Sequence, residues 1–196
     1  NFDSDNEGEL VIVRRGEVFI LEHDGALKWK REIYWDDCTR EDSTDTPRKA
    51  NEAGPPTVAD FDNDGQPEIG TAAADFYVVM DLECDPSSGS VPGKCEERGV
   101  LWGAPNQDCS SRATASSVFD FEGDGSAEMV YADQQTFSIL SGIDGSPLYT
   151  DPNHASNTRI EMPVVVDVDN DGNSEAVIPA PYEDGGVSRS SDDSNR

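Results

Sequence analysis

Oxygen-bearing side chains recur at a fixed spacing in four segments of this chain. Each segment is nine residues long and carries acidic or amide side chains at positions 1, 3, 5 and 9. Alternate residues of a tight loop point inward, and a glycine at position 6 permits the positive φ that reverses the chain. Ca²⁺ prefers several oxygen ligands and tolerates irregular geometry. The pattern therefore predicts loops folded around calcium ions.

The four loops share this frame but differ in detail. The first loop (1–9) has Asn1 in place of an aspartate and Asn6 in place of the glycine, and the third loop has the longer Glu122 at position 3. We expect up to four Ca²⁺ ions, three bound strongly and one more weakly at the first loop. The predicted side-chain ligands are Asn1, Asp3, Asp5 and Glu9 in the first loop, Asp60, Asp62, Asp64 and Glu68 in the second (60–68), Asp120, Glu122, Asp124 and Glu128 in the third (120–128), and Asp167, Asp169, Asp171 and Glu175 in the fourth (167–175).

The loops are joined to short runs of β-branched and aromatic residues, which are typical of strands. Loop starts at residues 1, 60, 120 and 167 give a period of roughly 45–60 residues, the range of propeller blades. Each unit reads as strand, loop, strand, turn, strand, turn and strand, and four antiparallel strands make one blade. The predicted fold is therefore all-β, a β-propeller of four-stranded antiparallel blades.

About three and a half blades fit in the sequence. The segments are a blade with a degenerate loop and a polar inter-blade loop (1–52), a blade with a cysteine-bounded insertion (53–111), a blade (112–159), a partial blade (160–181) and a flexible polar tail (182–196). Closed propellers have typically four to eight blades. We therefore expect exposed strand edges near 10–13 and 176–178, which would pair with further blades of the same or another chain.

Composition excludes two classes of partner. The 196-residue chain has a formal net charge of −27 and no basic stripe that could meet phosphates, so a nucleic-acid role is excluded. No apolar run approaches the length of a membrane span. The chain starts inside a repeat, which predicts a mature product or a fragment.

The four cysteines allow three pairings. Cys84 and Cys95 flank a loop rich in Pro, Ser and Gly, which favours a local disulfide and leaves Cys38 with Cys109. Four reduced thiols are the alternative. The even number of cysteines and the predicted calcium both favour an oxidising compartment, extracellular or at the cell surface.

The chain resembles the FG-GAP/VCBS-type repeats of integrin-α-like β-propellers, in the form found in bacterial secreted and surface proteins. The resemblance is carried by the loops at 60–68, 120–128 and 167–175, their flanking strands and the Asp-Gly turn before Trp29, and it extends to about Pro181. The Phe-Gly and Gly-Ala-Pro signature is represented by 103–105 alone. The resemblance also implies a backbone carbonyl ligand at position 7 of each loop, namely Glu7, Gln66, Ser126 and Asn173.

Two other interpretations are disfavoured. An EF-hand needs a glutamate at position 12 and flanking helices, whereas position 12 is Thr71, Tyr131 or Ile178 here. A catalytic role lacks support, because His23 and His154 fall in turns without zinc-site or triad spacing. Trp29 and Trp102 occupy equivalent positions and are predicted to be core residues, while Trp35 is the better candidate for an exposed contact.

Two functions follow from these features. The first is a non-enzymatic, calcium-stabilised extracellular propeller that serves as an adhesion, assembly or ligand-binding module and meets protein or carbohydrate at the cell surface. The second is the carbohydrate-binding or scaffold part of a larger secreted enzyme, such as a polysaccharide lyase. A catalytic domain elsewhere in the protein would favour the second.

Overall fold

The computed structural model describes residues 1–3, 5–33, 53–73, 75–84, 99–108, 113–154 and 162–179. Within these ranges all regular secondary structure is β, with thirteen strands and no helix. Every strand pair is antiparallel. The prediction of an all-β fold is confirmed.

The strands form four sheets whose order follows the chain. The first sheet contains β1 (Leu10–Arg14), β2 (Glu17–Leu21) and β3 (Leu27–Glu32); the second contains β4 (Thr57–Ala59), β5 (Glu68–Ala72), β6 (Phe76–Met80) and β7 (Trp102–Pro105); the third contains β8 (Ser116–Phe119), β9 (Glu128–Ala132), β10 (Phe137–Leu140) and β11 (Pro147–Asp151); the fourth contains β12 (Val164–Val166) and β13 (Glu175–Val177).

Each nine-residue loop ends at a strand of its own sheet. The second, third and fourth loops join β4 to β5, β8 to β9 and β12 to β13, and the first loop leads into β1. The last strand of the second sheet, β7, begins at Trp102. The Leu101 amide already donates to the Val79 carbonyl at 2.9 Å. The boundaries of the predicted segments fall outside the described residues and stay predictions, as does the polar tail.

The sheets pack face to face in chain order. Strand β5 is buried along its whole length because it has a sheet on each side. Ile69 packs in a cluster with Ile20 of the first sheet, whereas Ala72 packs with Tyr131 of the third. Side chains of a strand alternate between faces, so the two faces of one strand serve two sheet contacts. Val130 continues the series toward Ala176 of the fourth sheet.

The first strands of the second, third and fourth sheets contact one another. The Thr57 hydroxyl of β4 lies 2.8 Å from the Ser116 hydroxyl of β8, and the Ser117 hydroxyl donates to the Pro163 carbonyl beside β12. The described residues form a layered stack and do not close into a ring.

Trp102 fastens the second sheet to the third. Its ring stacks on Tyr77 with centroids 6.1 Å apart, meets the edge of Phe61 at 6.4 Å, and donates from Nε1 to the Gly142 carbonyl. The expectation that Trp102 is a core residue is confirmed, since it is 1% exposed. Phe61 is position 2 of the second loop, so this contact fixes the loop against the core.

We expect Gly142→Ala to destabilise the stack. A Cβ at Gly142 would lie 2.3 Å from the backbone oxygens of Phe61 and Ala127, and such overpacking costs about 1–3 kcal/mol. Gly8→Ala is the matched control, because a Cβ at Gly8 meets nothing within 4 Å. Chemical denaturation of both variants and the parent measures the effect. Equal loss of stability in the two variants would contradict the contact described.

Candidate metal centre

The second loop is folded around its own carboxylates. Asp60 accepts hydrogen bonds from the amides of Asp64 (3.2 Å) and Gly65 (3.0 Å). Gly65 has φ of 89°, in the left-handed region that favours glycine. Glu68, the first residue of β5, accepts from the Phe61 amide at 2.6 Å through Oε2. The two ends of the loop are thereby tied together, and the side-chain oxygens converge.

The other carboxylate oxygen of Glu68 has no hydrogen-bond partner among the described residues. Glu68 is 1% exposed, and its carboxylate lies with those of Asp60 and Asp62 in a group whose oxygens are within 4.8 Å of one another. A buried carboxylate is costly unless it is paired or bound to a cation. This orphaned oxygen and the all-oxygen donor set fit a hard divalent cation.

The electrostatics of the group point the same way. Burial raises the pKa of Glu68 from 4.5 to about 9. Burial also raises the pKa of Asp62 to about 6, with a further contribution from the charge of Asp64. Without a cation, therefore, the folded state favours protonation of groups that are ionised in water.

The fourth loop repeats this geometry in a more exposed setting. Asp167 accepts from the amides of Asp171 (3.1 Å) and Gly172 (3.0 Å). Glu175 accepts from the amide at position 2 of the loop, at 2.9 Å. The carboxylate oxygens of Asp167, Asp169 and Glu175 again lie within 4.8 Å of one another. This loop is the second convergent oxygen site.

The third loop has the same backbone bonds but less convergent carboxylates. Asp120 accepts from the amides of Gly125 (2.9 Å) and Gly123 (2.6 Å); these backbone bonds, with Gly125 the largest contributor, lower its pKa. Glu128 accepts from Phe121 at 2.7 Å, and burial, followed by the neighbouring Glu122 carboxyl, raises its pKa to about 7. Among the described residues these acids form no comparable group of three. The longer Glu122 side chain and the extra amide on Asp120 account for the difference.

The first loop is folded as well, but a lysine lies in it. Glu9 accepts from the Phe2 amide at 2.6 Å, and the oxygens of Asp3, Asp5 and Glu9 are within 4.8 Å of one another. The Lys28 ammonium contacts the carboxylate of Asp3. The nine-residue frame did not reveal Lys28, because it lies on β3 and reaches the loop only through strand pairing.

The residues at position 7 share one contact in all four loops: the backbone amide donates to the carboxylate at position 5. The distances are 2.8 Å for Glu7, 2.8 Å for Gln66, 2.9 Å for Ser126 and 2.8 Å for Asn173. The amides thus hold the position-5 carboxylates of Asp5, Asp64, Asp124 and Asp171. The role of the position-7 carbonyls as ligands stays a prediction.

Asp81 is an acidic neighbour of the second loop that the motif did not include. It directly follows β6, is 5% exposed, and accepts from the Glu83 amide at 2.7 Å. Burial is the largest cause of the raised pKa of Asp81. The charge of Asp81 in turn contributes to the raised pKa values of Asp62 and Glu68. The second loop therefore carries the densest negative charge next to the core.

The second and third loops touch. The Asn63 side-chain amide donates to the Asp124 carbonyl at 2.9 Å, and the Ala127 amide donates to the Asp60 carbonyl at 3.0 Å. Neighbouring loops consequently lie side by side at one edge of the stacked sheets.

Cys84 is the one cysteine within the described residues. It is 1% exposed, it is not a free thiol, and its Sγ lies 3.1 Å from the Val100 carbonyl oxygen. Cys38, Cys95 and Cys109 fall outside the described residues, and so does Trp35. Both predicted disulfide pairings stay predictions.

Comparisons with known proteins identify no family for this chain. No family model matches the chain, and no curated protein matches it. The chain is similar to the crystal structure of the V. cholerae biofilm matrix protein Bap1, with 17% sequence identity and a TM-score of 0.48. The match covers 88% of this chain and 29% of that one, so the chain spans less than a third of that protein. Among the described residues no helix could span a membrane.

We expect the cation-free chain to lose stability as pH rises from about 5 to about 8. Between 4.5 and about 9, the raised pKa of Glu68 makes the folded state bind more protons than the unfolded chain does. Stability falls with rising pH wherever the folded state holds more protons. Melting temperatures of protein passed over a chelating resin measure this.

The matched variant for this test is Glu68→Gln, which removes the titrating group. Its melting temperature should depend less on pH than that of the parent. A parent melting temperature that rises over the same pH range would contradict the assignment of a buried, raised-pKa carboxylate to this loop.

Proposed function

We propose that the chain is a non-enzymatic, calcium-stabilised β-propeller module of the FG-GAP/VCBS type that acts in extracellular assembly. One observation carries the proposal: the orphaned Glu68 oxygen, buried beside Asp60 and Asp62, in a loop whose backbone bonds recur three more times. A single acidic turn is an ordinary surface feature, whereas the bonds at positions 7 and 9 recur in four loops. The second, third and fourth loops also share the bonds to the aspartate at position 1, which favours one common ligand for these three.

Calcium is the cation that this donor set favours. Ca²⁺ accepts six to eight oxygen ligands in flexible geometry, whereas Mg²⁺ demands a near-ideal octahedron and retains several waters. Asp60, Asp62, Asp64 and Glu68 would hold the ion in the second loop, and Asp167, Asp169, Asp171 and Glu175 in the fourth. When bound, the ion supplies the positive charge that the buried carboxylates lack. The third loop would bind more weakly until Glu122 and Asp120 rearrange.

Repetition of one sheet contact supports the propeller arrangement. Successive sheets pack through opposite faces of equivalent strands. The first strands of the second, third and fourth sheets lie next to one another. Continued stacking of this kind around the first strands yields blades around an axis. The second and third sheets already have the four strands of a blade.

Extracellular location is supported by the state of the described cysteine. Disulfides persist in oxidising compartments, and Cys84 is not a free thiol. A non-enzymatic role is supported by the loop carboxylates, which are held by their own backbone amides rather than aimed at a common cleft. His23 is exposed, which suits a turn residue.

The two ends of the stack present apolar faces. Val164 and Val177 are cross-strand partners of the fourth sheet and are 50% and 47% exposed. Leu10 and Leu27 of the first sheet both lie beside Leu21 across the strands and are 57% and 58% exposed. Each face is the one opposite to the face that packs inside the stack.

The two open faces are the two halves of the contact that repeats inside the stack. By strand register, Val177 is equivalent to Val130, which packs toward the following sheet. Leu10 is equivalent to Ile69, which packs toward the preceding sheet. We propose that a second copy of this chain occupies these faces, so that copies associate head to tail through the same kind of sheet contact.

We expect calorimetric titration to show calcium binding at the second and fourth loops and weaker binding at the third. Extracellular calcium modules bind at about 10⁻⁴–10⁻³ M. Glu68→Gln should lose the site at the second loop, because the buried ligand charge is removed. Glu83→Gln is the control, since Glu83 is exposed and close to the same loop. The absence of calcium heat, or identical titrations of parent and Glu68→Gln, would refute the proposed function.

We expect the average mass in sedimentation velocity to rise with protein concentration in the presence of calcium. Val177→Arg should weaken this association roughly tenfold or more, because it carries a charge into an apolar contact. Ile143→Arg is the control, since Ile143 is 44% exposed in a turn. A parent chain that stays monomeric at every concentration would exclude a second copy as the occupant.

A further inference from the structure

Lys28 links the first loop to the strand beside it. Its Nζ contacts the Asp3 carboxylate and donates to Glu22 Oε1 at 2.9 Å. The Lys28 side chain is 17% exposed, against 32% for Asp3 and 26% for Glu22. The ammonium is therefore withdrawn from solvent and held between a loop carboxylate and the residue that follows β2.

This ammonium is peculiar to the first sheet. Strand register places Trp29, Trp102 and Tyr149 at equivalent positions, so the residues equivalent to Lys28 are Leu101 and Leu148. Among the described residues, the ion pair found at a nine-residue loop is the one between Lys28 and Asp3. The first loop, which Lys28 contacts, is also the loop with Asn1 in place of an acid at position 1.

Asn1 and Lys28 change the charge of the first loop in the same direction. Asn1 supplies a neutral oxygen that accepts from the Asp3 amide at 2.9 Å, where the other loops supply a carboxylate. Lys28 adds a positive charge to the remaining acids. The first loop is thus folded, and Lys28 compensates part of its charge without any added ion; Glu9 Oε1 is buried and has no hydrogen-bond partner among the described residues.

We propose that the Lys28 ammonium is the resident cation of the first loop and takes the place that a divalent ion takes in the other loops. The inference rests on the proposed function, because it assumes that those loops bind calcium. Lysine is a compact point charge on a flexible stem, which suits substitution for an ion. A calcium ion on the Asp3 carboxylate would lie next to the ammonium, and like charges at such distances repel. The two cations therefore exclude each other.

Removal of Lys28 should create a calcium site. The carboxylates that lose their cationic partner would be those of Asp3 and Glu22, next to Asp5 and Glu9. The ligand atoms of Asp5, Glu22 and His23 also lie within 4.8 Å of one another, which widens the set of donors. The predicted ligand is a hard divalent cation, because carboxylate oxygens dominate the set.

Calcium titration of the Lys28→Met chain tests the proposal. The variant should bind one more calcium ion than the parent, and in the absence of calcium it should melt at a lower temperature than the parent. Millimolar calcium should raise the melting temperature of the variant to that of the parent. Lys30→Met is the matched control: Lys30 lies on the same strand, pairs with Glu17 at 2.6 Å, and should leave the calcium stoichiometry of the parent unchanged.

Asp3→Asn in the parent background is a second measurement that does not depend on the stability of the lysine variant. It should leave the calcium stoichiometry of the parent unchanged, since Asp3 already has its cation. Loss of one calcium ion in Asp3→Asn, or equal stoichiometry in Lys28→Met and the parent, would overturn the inference while leaving the proposed function intact. A parent that binds no calcium would overturn both.

Discussion

A buried carboxylate with one oxygen that lacks a hydrogen-bond partner is the constraint on which the rest of this structure depends. Glu68 begins a strand that has a sheet on each side, so its side chain cannot reach bulk water without breaking the stack. One of its oxygens closes the loop through the Phe61 amide, and the other has no hydrogen-bond partner among the described residues. The carboxylate lies beside those of Asp60 and Asp62. Folding of the sheet and neutralisation of the loop are consequently one event.

The four loops differ in how deeply the glutamate at position 9 is buried. Glu68 is 1% exposed and Glu128 is 4% exposed, whereas Glu9 and Glu175 are only partly buried. The two inner sheets are covered on both sides, and the two outer sheets on one. Electrostatic interactions strengthen as solvent is withdrawn, so a cation would stabilise the second loop, on an inner sheet, more than the fourth loop, on an outer one. The first loop lies at one end of the stack, and there the Lys28 ammonium takes the place of a divalent ion.

The sequence predicted the loops, their order and the all-β fold, because these depend on residues that are close along the chain. A nine-residue frame and the strands beside it are local features, and each repeat corroborates the others. Lys28 and Asp81 escaped prediction for the opposite reason. Both reach a loop across neighbouring strands, and their positions follow from strand register, which the sequence does not specify residue by residue. The weaker convergence of the third loop likewise depends on how Gly123 directs its amide to Asp120.

An anomalous difference map tests the central claim most directly. Crystals grown with calcium and measured at long wavelength should show a peak about 2.3–2.6 Å from carboxylate oxygens of Asp60, Asp62 and Glu68, a similar peak at the fourth loop, and none beside Lys28. A map without a peak at the second loop, in which Glu68 is instead satisfied by protein or water, would contradict the account.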